Sequence, residues 1–135
     1  LMAGVIIMLT SCIFFMFSDQ FIKWAGSREI EKHRENNRIQ LFSGEGEFLE
    51  EWPGYLRPDK LWFDRDETIF MAEVGHRLTI LDRQNNVLSQ WGEAGDEPHQ
   101  FVAAPHGIWG DSRGDLYVSE VAAAGLIKKF VRVRD

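Results

Sequence analysis

Two dipeptides, Pro58-Asp59 and Pro105-His106, stand 47 residues apart in a chain of 135 residues. An aspartate and a histidine at matching places of a repeat can face one polar site. Asp59 can accept hydrogen bonds or ligate a cation. His106 can offer a neutral ring nitrogen to a metal. His76, after Val74-Gly75, is a further candidate for ligand contact, though a histidine of a surface turn is the favoured reading. The plain alternative for Asp59 and His106 is that each caps its strand and hydrogen-bonds the linker backbone. His99 lies in a polar linker, where solvation is expected, and His33 precedes the repeat.

Other chemistries lack their residues. There is no Gly-Lys-Ser/Thr phosphate loop, no Gly-x-Ser-x-Gly elbow and no His-Glu-x-x-His. The one cysteine, Cys12, sits in an apolar run, which excludes a disulfide scaffold and a cysteine-rich zinc knuckle. A formal charge of −6 argues against nucleic acid as a partner. Asp64-Arg65-Asp66-Glu67 and Asp111-Ser112-Arg113-Gly114-Asp115 look loosely like calcium loops. They lack the EF-hand frame and its final bidentate glutamate, so they read as hairpin turns.

The elements that must position Asp59 and His106 show as self-similarity. Lys60-Leu61-Trp62-Phe63-Asp64 and then Thr68–Glu73 match Gly107-Ile108-Trp109-Gly110-Asp111 and then Asp115–Glu120, at a constant offset of 47. Gly46–Trp52 matches Asn85–Trp91 at an offset of about 39, the difference being an insertion from Gly92 to Ala104. A third element recurs three times: Arg38–Phe42, Arg77–Leu81 and Leu126–Phe130. Each alternates apolar with polar residues, the mark of a half-buried strand. Units of about 40 residues with four short strands have the size of a propeller blade. Strands counted from Arg38 make about two blades. Symmetry favours packing between sheets for Trp52, Trp62, Trp91 and Trp109, with exposed stacking on a sugar or peptide as the alternative.

These marks resemble the NHL repeat: Asn36-Asn37-Arg38-Ile39-Gln40-Leu41-Phe42, then Gly46-Glu47-Phe48, and later Pro105-His106-Gly107-Ile108 with Asp111–Val118. Residues 34–135 further resemble the C-terminal blades of the six-bladed peptidyl-α-hydroxyglycine α-amidating lyase group. The resemblance implies an all-β partial propeller. It also implies a zinc held by three linker histidines, of which His106 matches the last. Gly107 stands where that group has an aspartate serving a structural calcium, and Ala104 where it has a methionine. A catalytic zinc needs about three protein ligands, so zinc is expected only in a complete propeller. The expected function is a ligand- or protein-binding module, catalytically incomplete alone. The alternative is the C-terminal part of a metal-dependent C–N lyase of the amidating type.

Residues 1–17 carry no charge, and residues 18–33 hold three acids and three bases, leaving 18 of the 21 acids and 12 of the 15 bases for 34–135. The first segment approaches the roughly 20 residues that span a bilayer. It reads as a helical membrane anchor or signal, with a lipobox-like Leu9-Thr10-Ser11-Cys12 and a buried helix as competing readings. The organisation expected is therefore an apolar segment (1–17), a polar linker (18–33) and the propeller fragment (34–135), membrane-anchored or extracytoplasmic. Expected partners are a small molecule, a peptide or a protein, with self-association through blade faces left bare.

Overall fold

The computed structural model describes residues 22–24, 28–33, 37–121 and 126–133. Every regular element there is a strand, and the sheets are antiparallel throughout. The apolar segment 1–17, with the anchor and helix expected of it, lies outside the described residues. Among the described residues no helix is long and apolar enough to cross a membrane. The chain forms two compact units, Leu1–Tyr55 and Leu56–Asp135.

The first unit holds β1 (Ile22–Trp24), β2 (Arg28–His33), β3 (Arg38–Ser43) and β4 (Phe48–Pro53), paired in that order. Alternation in β3 buries Ile39 and Leu41 completely. The polar linker expected over 18–33 contains β1 and β2. Ile30 is the one apolar residue of β2, so no two-residue period marks it, yet its backbone pairs with β3 through all six residues. The first sheet thus begins before Arg38.

The second unit holds two sheets. One runs β5 (Pro58–Phe63), β6 (Ile69–Glu73), β7 (Arg77–Leu81), β8 (Val87–Trp91); the other has β9 (Pro105–Gly110), β10 (Leu116–Glu120) and β11 (Ile127–Phe130). The described strands therefore make two four-stranded sheets and a third of three strands. The three copies of the alternating element are β3, β7 and β11, the third strand of each sheet.

The core of this unit joins both sheets. Phe70, Ala72 and Leu78 from one meet Ile108, Leu116 and Val118 from the other, with Trp62, Trp91 and Phe130 packed around them. Phe101 completes it from the insertion and is fully buried, its ring centroid 6.2 Å from that of Phe130. The insertion folds around this one ring. Phe101 N–H donates to the Glu93 carbonyl at 2.8 Å, and Gly95 N–H to the Phe101 carbonyl at 3.1 Å. Gly92 must be glycine: its φ is +107°, and a Cβ would lie 2.7 Å from the Phe101 ring.

Four hairpin turns share one chemistry. Ser43, Asp64, Asp82 and Asp111 each accept two backbone N–H groups with one side-chain oxygen, from the residues two and four positions on. Three positions on, Gly46, Glu67, Asn85 and Gly114 take the left-handed conformation. The calcium-like runs are such turns, closed by their own aspartates.

Removing the ring that organises the insertion should be costly. Phe101→Ala is expected to lower unfolding stability by about 3–5 kcal/mol, read as a reduced urea midpoint with an unchanged slope.

Candidate functional site

The site is built from buried glutamates upward. Glu73 ends β6 and is fully buried. Its Oε1 accepts Arg77 Nε at 2.8 Å and Thr79 Oγ1 at 2.5 Å. Its Oε2 accepts Arg77 Nη2 at 2.6 Å and the Leu56 backbone N–H. Glu120, 47 residues on, ends β10 and is buried as well. Its Oε2 accepts the Ala103 N–H at 2.7 Å, and Lys128 Nζ lies 3.7 Å from its Oε1. Backbone bonds repeat beside each: Val74 N–H to the Arg57 carbonyl at 3.0 Å, and Val121 N–H to the Ala104 carbonyl at 2.9 Å. A buried carboxylate so bound holds a linker at a defined place, because releasing it strands a charge away from water.

Asp59 and His106 each follow a clamped N–H by three residues. Both fall at a β-bulge. Pro58 pairs with Glu73 and Lys60 with Ala72, so Asp59 is the extra residue. Pro105 pairs with Glu120 and Gly107 with Ser119, so His106 is the extra residue. A bulge re-aims its side chain out of the sheet alternation. The two matching bulges bring His106 Nε2 to 3.3 Å from Asp59 Oδ2. The carboxylate side chain is 7% exposed and the imidazole 55%. When Nε2–H donates to the carboxylate, Nδ1 is left with its lone pair as acceptor or base. An exposed imidazole held on a buried carboxylate can accept a hydrogen bond or a proton at Nδ1.

His76 takes another role. Its Nδ1 lies 3.0 Å from the Phe101 carbonyl oxygen, which can only accept, so Nδ1 carries the proton. The half-buried ring ties the β6–β7 turn to the insertion. His99 is exposed, 3.8 Å from Glu93. Trp52 is buried and Trp62 and Trp91 half-buried, as packing requires, whereas Trp109 is 56% exposed and leans on Tyr117. The residues present do not fit zinc by themselves. Among the described residues no group of three or more His, Cys, Asp or Glu could hold a metal ion. His106 and Asp59 offer two donors, already held to each other.

Sequence reasoning missed the glutamates and the bulges. The available signal was Met71-Ala72-Glu73 against Val118-Ser119-Glu120, an acid closing the same strand in both copies.

No protein-family model matches the chain, and no curated protein does. Solved structures do match. A protein of unknown function from Bacteroides caccae superposes with a TM-score of 0.66 at 16% identity, over 76% of this chain and 39% of its own. Virginiamycin B lyase from Staphylococcus aureus gives 0.61 at 13%, over 87% and 42%. A streptogramin B lyase structure gives 0.62 at 12%, over 87% and 41%. The likeness defines the class as an all-β, propeller-type fold. The chain spans about two fifths of the length of these structures. The NHL and amidating-lyase resemblance has no family model behind it.

At the opposite ends of β9 and β10 lies a charge cluster. Burial alone would raise the Asp111 carboxyl, but hydrogen bonds from Arg113 and two turn N–H groups bring it down to about 2. Asp115 is lowered, chiefly by Lys129, whose amine is 2.9 Å away, and by the Arg132 N–H. Arg113 and Lys129 are raised in return. A depressed carboxyl stabilises the fold above its unfolded value near 4, and this contribution is lost as pH falls through the folded value. Acid unfolding should therefore steepen between about pH 4 and about pH 2. Asp111→Asn should flatten that limb in a stability–pH series, while lowering stability at neutral pH.

Proposed function

We propose that this chain is a ligand-binding part of a propeller-type protein, with His106 on Asp59 as the polar contact of its site. The observation that carries this reading is the pair of matching bulges, which sets an exposed imidazole on a buried carboxylate. Small polar ligands are held by a few such oriented groups within an otherwise apolar site. Further sheets would complete the site. Ile127 on β11 is 71% exposed, whereas its repeat counterparts Ile39 and Leu78 are 0% and 1% exposed. That bare position supports packing against additional sheets or self-association. Residues 1–17 would hold the assembly to a membrane.

A lyase is the second reading, favoured by two observations. Two of the similar structures are lyases, and a third match is a catalytically inactive histidine-to-alanine virginiamycin B lyase with quinupristin. In a lyase of the amidating type, His106 would take the hydroxyl proton of a peptidyl-α-hydroxyglycine. The C–N bond would break as the carbonyl forms, and the proton would pass to the departing amide nitrogen.

Titration of the chain with quinupristin and with a peptidyl-α-hydroxyglycine, followed by the His106 ring signals in NMR, tests the site. Binding of at least one should shift those signals, and His106→Ala should weaken it about tenfold or more. Failure of both to move the His106 signals, or equal binding by the variant, would remove His106 from the site.

A further inference from the structure

We propose that the hairpin-turn ends of β5–β6 and β9–β10 form a second site, one that binds a small planar aromatic acid. It lies about 13 Å along β5 from Asp59, four residues at the usual strand rise, and is independent of the proposed function. An open groove of about 390 Å³ runs between the two turns, within the roughly 300–1,000 Å³ range of small-ligand sites.

The lining has a flat side and a guanidinium side. Trp62 and Phe70 form the flat side, their ring centroids 5.0 Å apart. Gly110 leaves room for Trp62, since a Cβ there would lie 2.3 Å from the indole ring. Arg65, Arg113 and Arg132 form the other side. Arg113 is committed to Asp111 at 3.1 Å and Asp115 at 3.4 Å. Arg65 and Arg132 are exposed, and among the described residues no carboxylate pairs with either. Arg132 is nevertheless positioned: its N–H donates to Asp115 Oδ1 at 3.1 Å, and its side chain lies over Gly114.

Asp64, Asp66 and Asp111 also line the groove, so three acids face three arginines. Such a lining has no general field for anions, and a polyanion would meet the aspartates. Selection must come from geometry. Asp64 and Asp111 each direct Oδ1 at two turn N–H groups. The unpaired guanidinia remain as forks that match a carboxylate with two parallel N–H bonds. A flat ring lying along Trp62 would bring its carboxylate to those forks, which bulky or neutral molecules cannot do.

Naphthoate, with neutral naphthamide as control, is the probe. Added to the isotopically labelled full chain, naphthoate should shift the Trp62 indole and the Gly110 and Gly114 amide signals. Arg65→Gln and Arg132→Gln should each weaken binding about tenfold to a hundredfold, with the remaining amide spectrum unchanged as evidence of folding. No shift at millimolar naphthoate, binding indifferent to both substitutions, or equal binding of naphthamide would each overturn the proposal.

Discussion

Two buried carboxylates fix the segments that carry Asp59 and His106. Glu73 and Glu120 occupy the same place in successive sheets, and each takes the N–H of the linker that leads to Asp59 or to His106. Burial makes the contact strict. A carboxylate removed from water must find cations and hydrogen-bond donors or be neutralised. Glu73 meets this demand fully, with Arg77 in a two-pronged contact, Thr79 and Leu56. Glu120 meets it by half: its Oε2 is bonded, while Oε1 has no hydrogen-bond partner and stands 3.7 Å from Lys128. The repeat explains the difference. Leu126 occupies the Arg77 position and Lys128 the Thr79 position, so the cation reaches the acid from a different register place.

From that clamp the rest follows in order. A fixed linker forces the chain to begin β5 and β9 at a set point, with one residue too many on each. Those residues, Asp59 and His106, are turned out by the bulges and meet. The far ends of the same strands use another device, an aspartate oxygen of Asp64 or Asp111 shared by two turn N–H groups. One end of each of these two sheets is therefore tied to other segments, and the other end closes on itself. Lys128 carries an added load: it also donates to the carbonyls of Glu97 and Gln100 and lies over the Phe101 ring, 5.3 Å from its centroid. The insertion and the His106 side of the site thus share one cation.

Much of the fold was legible in the sequence because its signals were local. Alternation located β3 and β7, and the 47-residue offset aligned β5–β6 with β9–β10. The pairing of Asp59 with His106 at one repeat position was legible for the same reason. The span 18–33 was not, because Arg28-Glu29-Ile30-Glu31-Lys32-His33 has a single apolar residue and so no alternation to mark its strand. The contact between Asp59 and His106 depends on bulges, and register is a property of the partner strand. The role of His76 was hidden because its acceptor, Phe101, lies 25 residues away within the insertion.

The buried carboxylates place Asp59 and His106 through the linker. Amide hydrogen exchange in Glu120→Met tests this claim most directly, since methionine fills the space and accepts no strong hydrogen bond. The Ala103 amide should lose protection about tenfold or more, and the His106 ring signals should move, while the Asp111–Asp115 turn amides keep their protection. An Ala103 amide and a His106 ring both indistinguishable from the parent protein would contradict the claim.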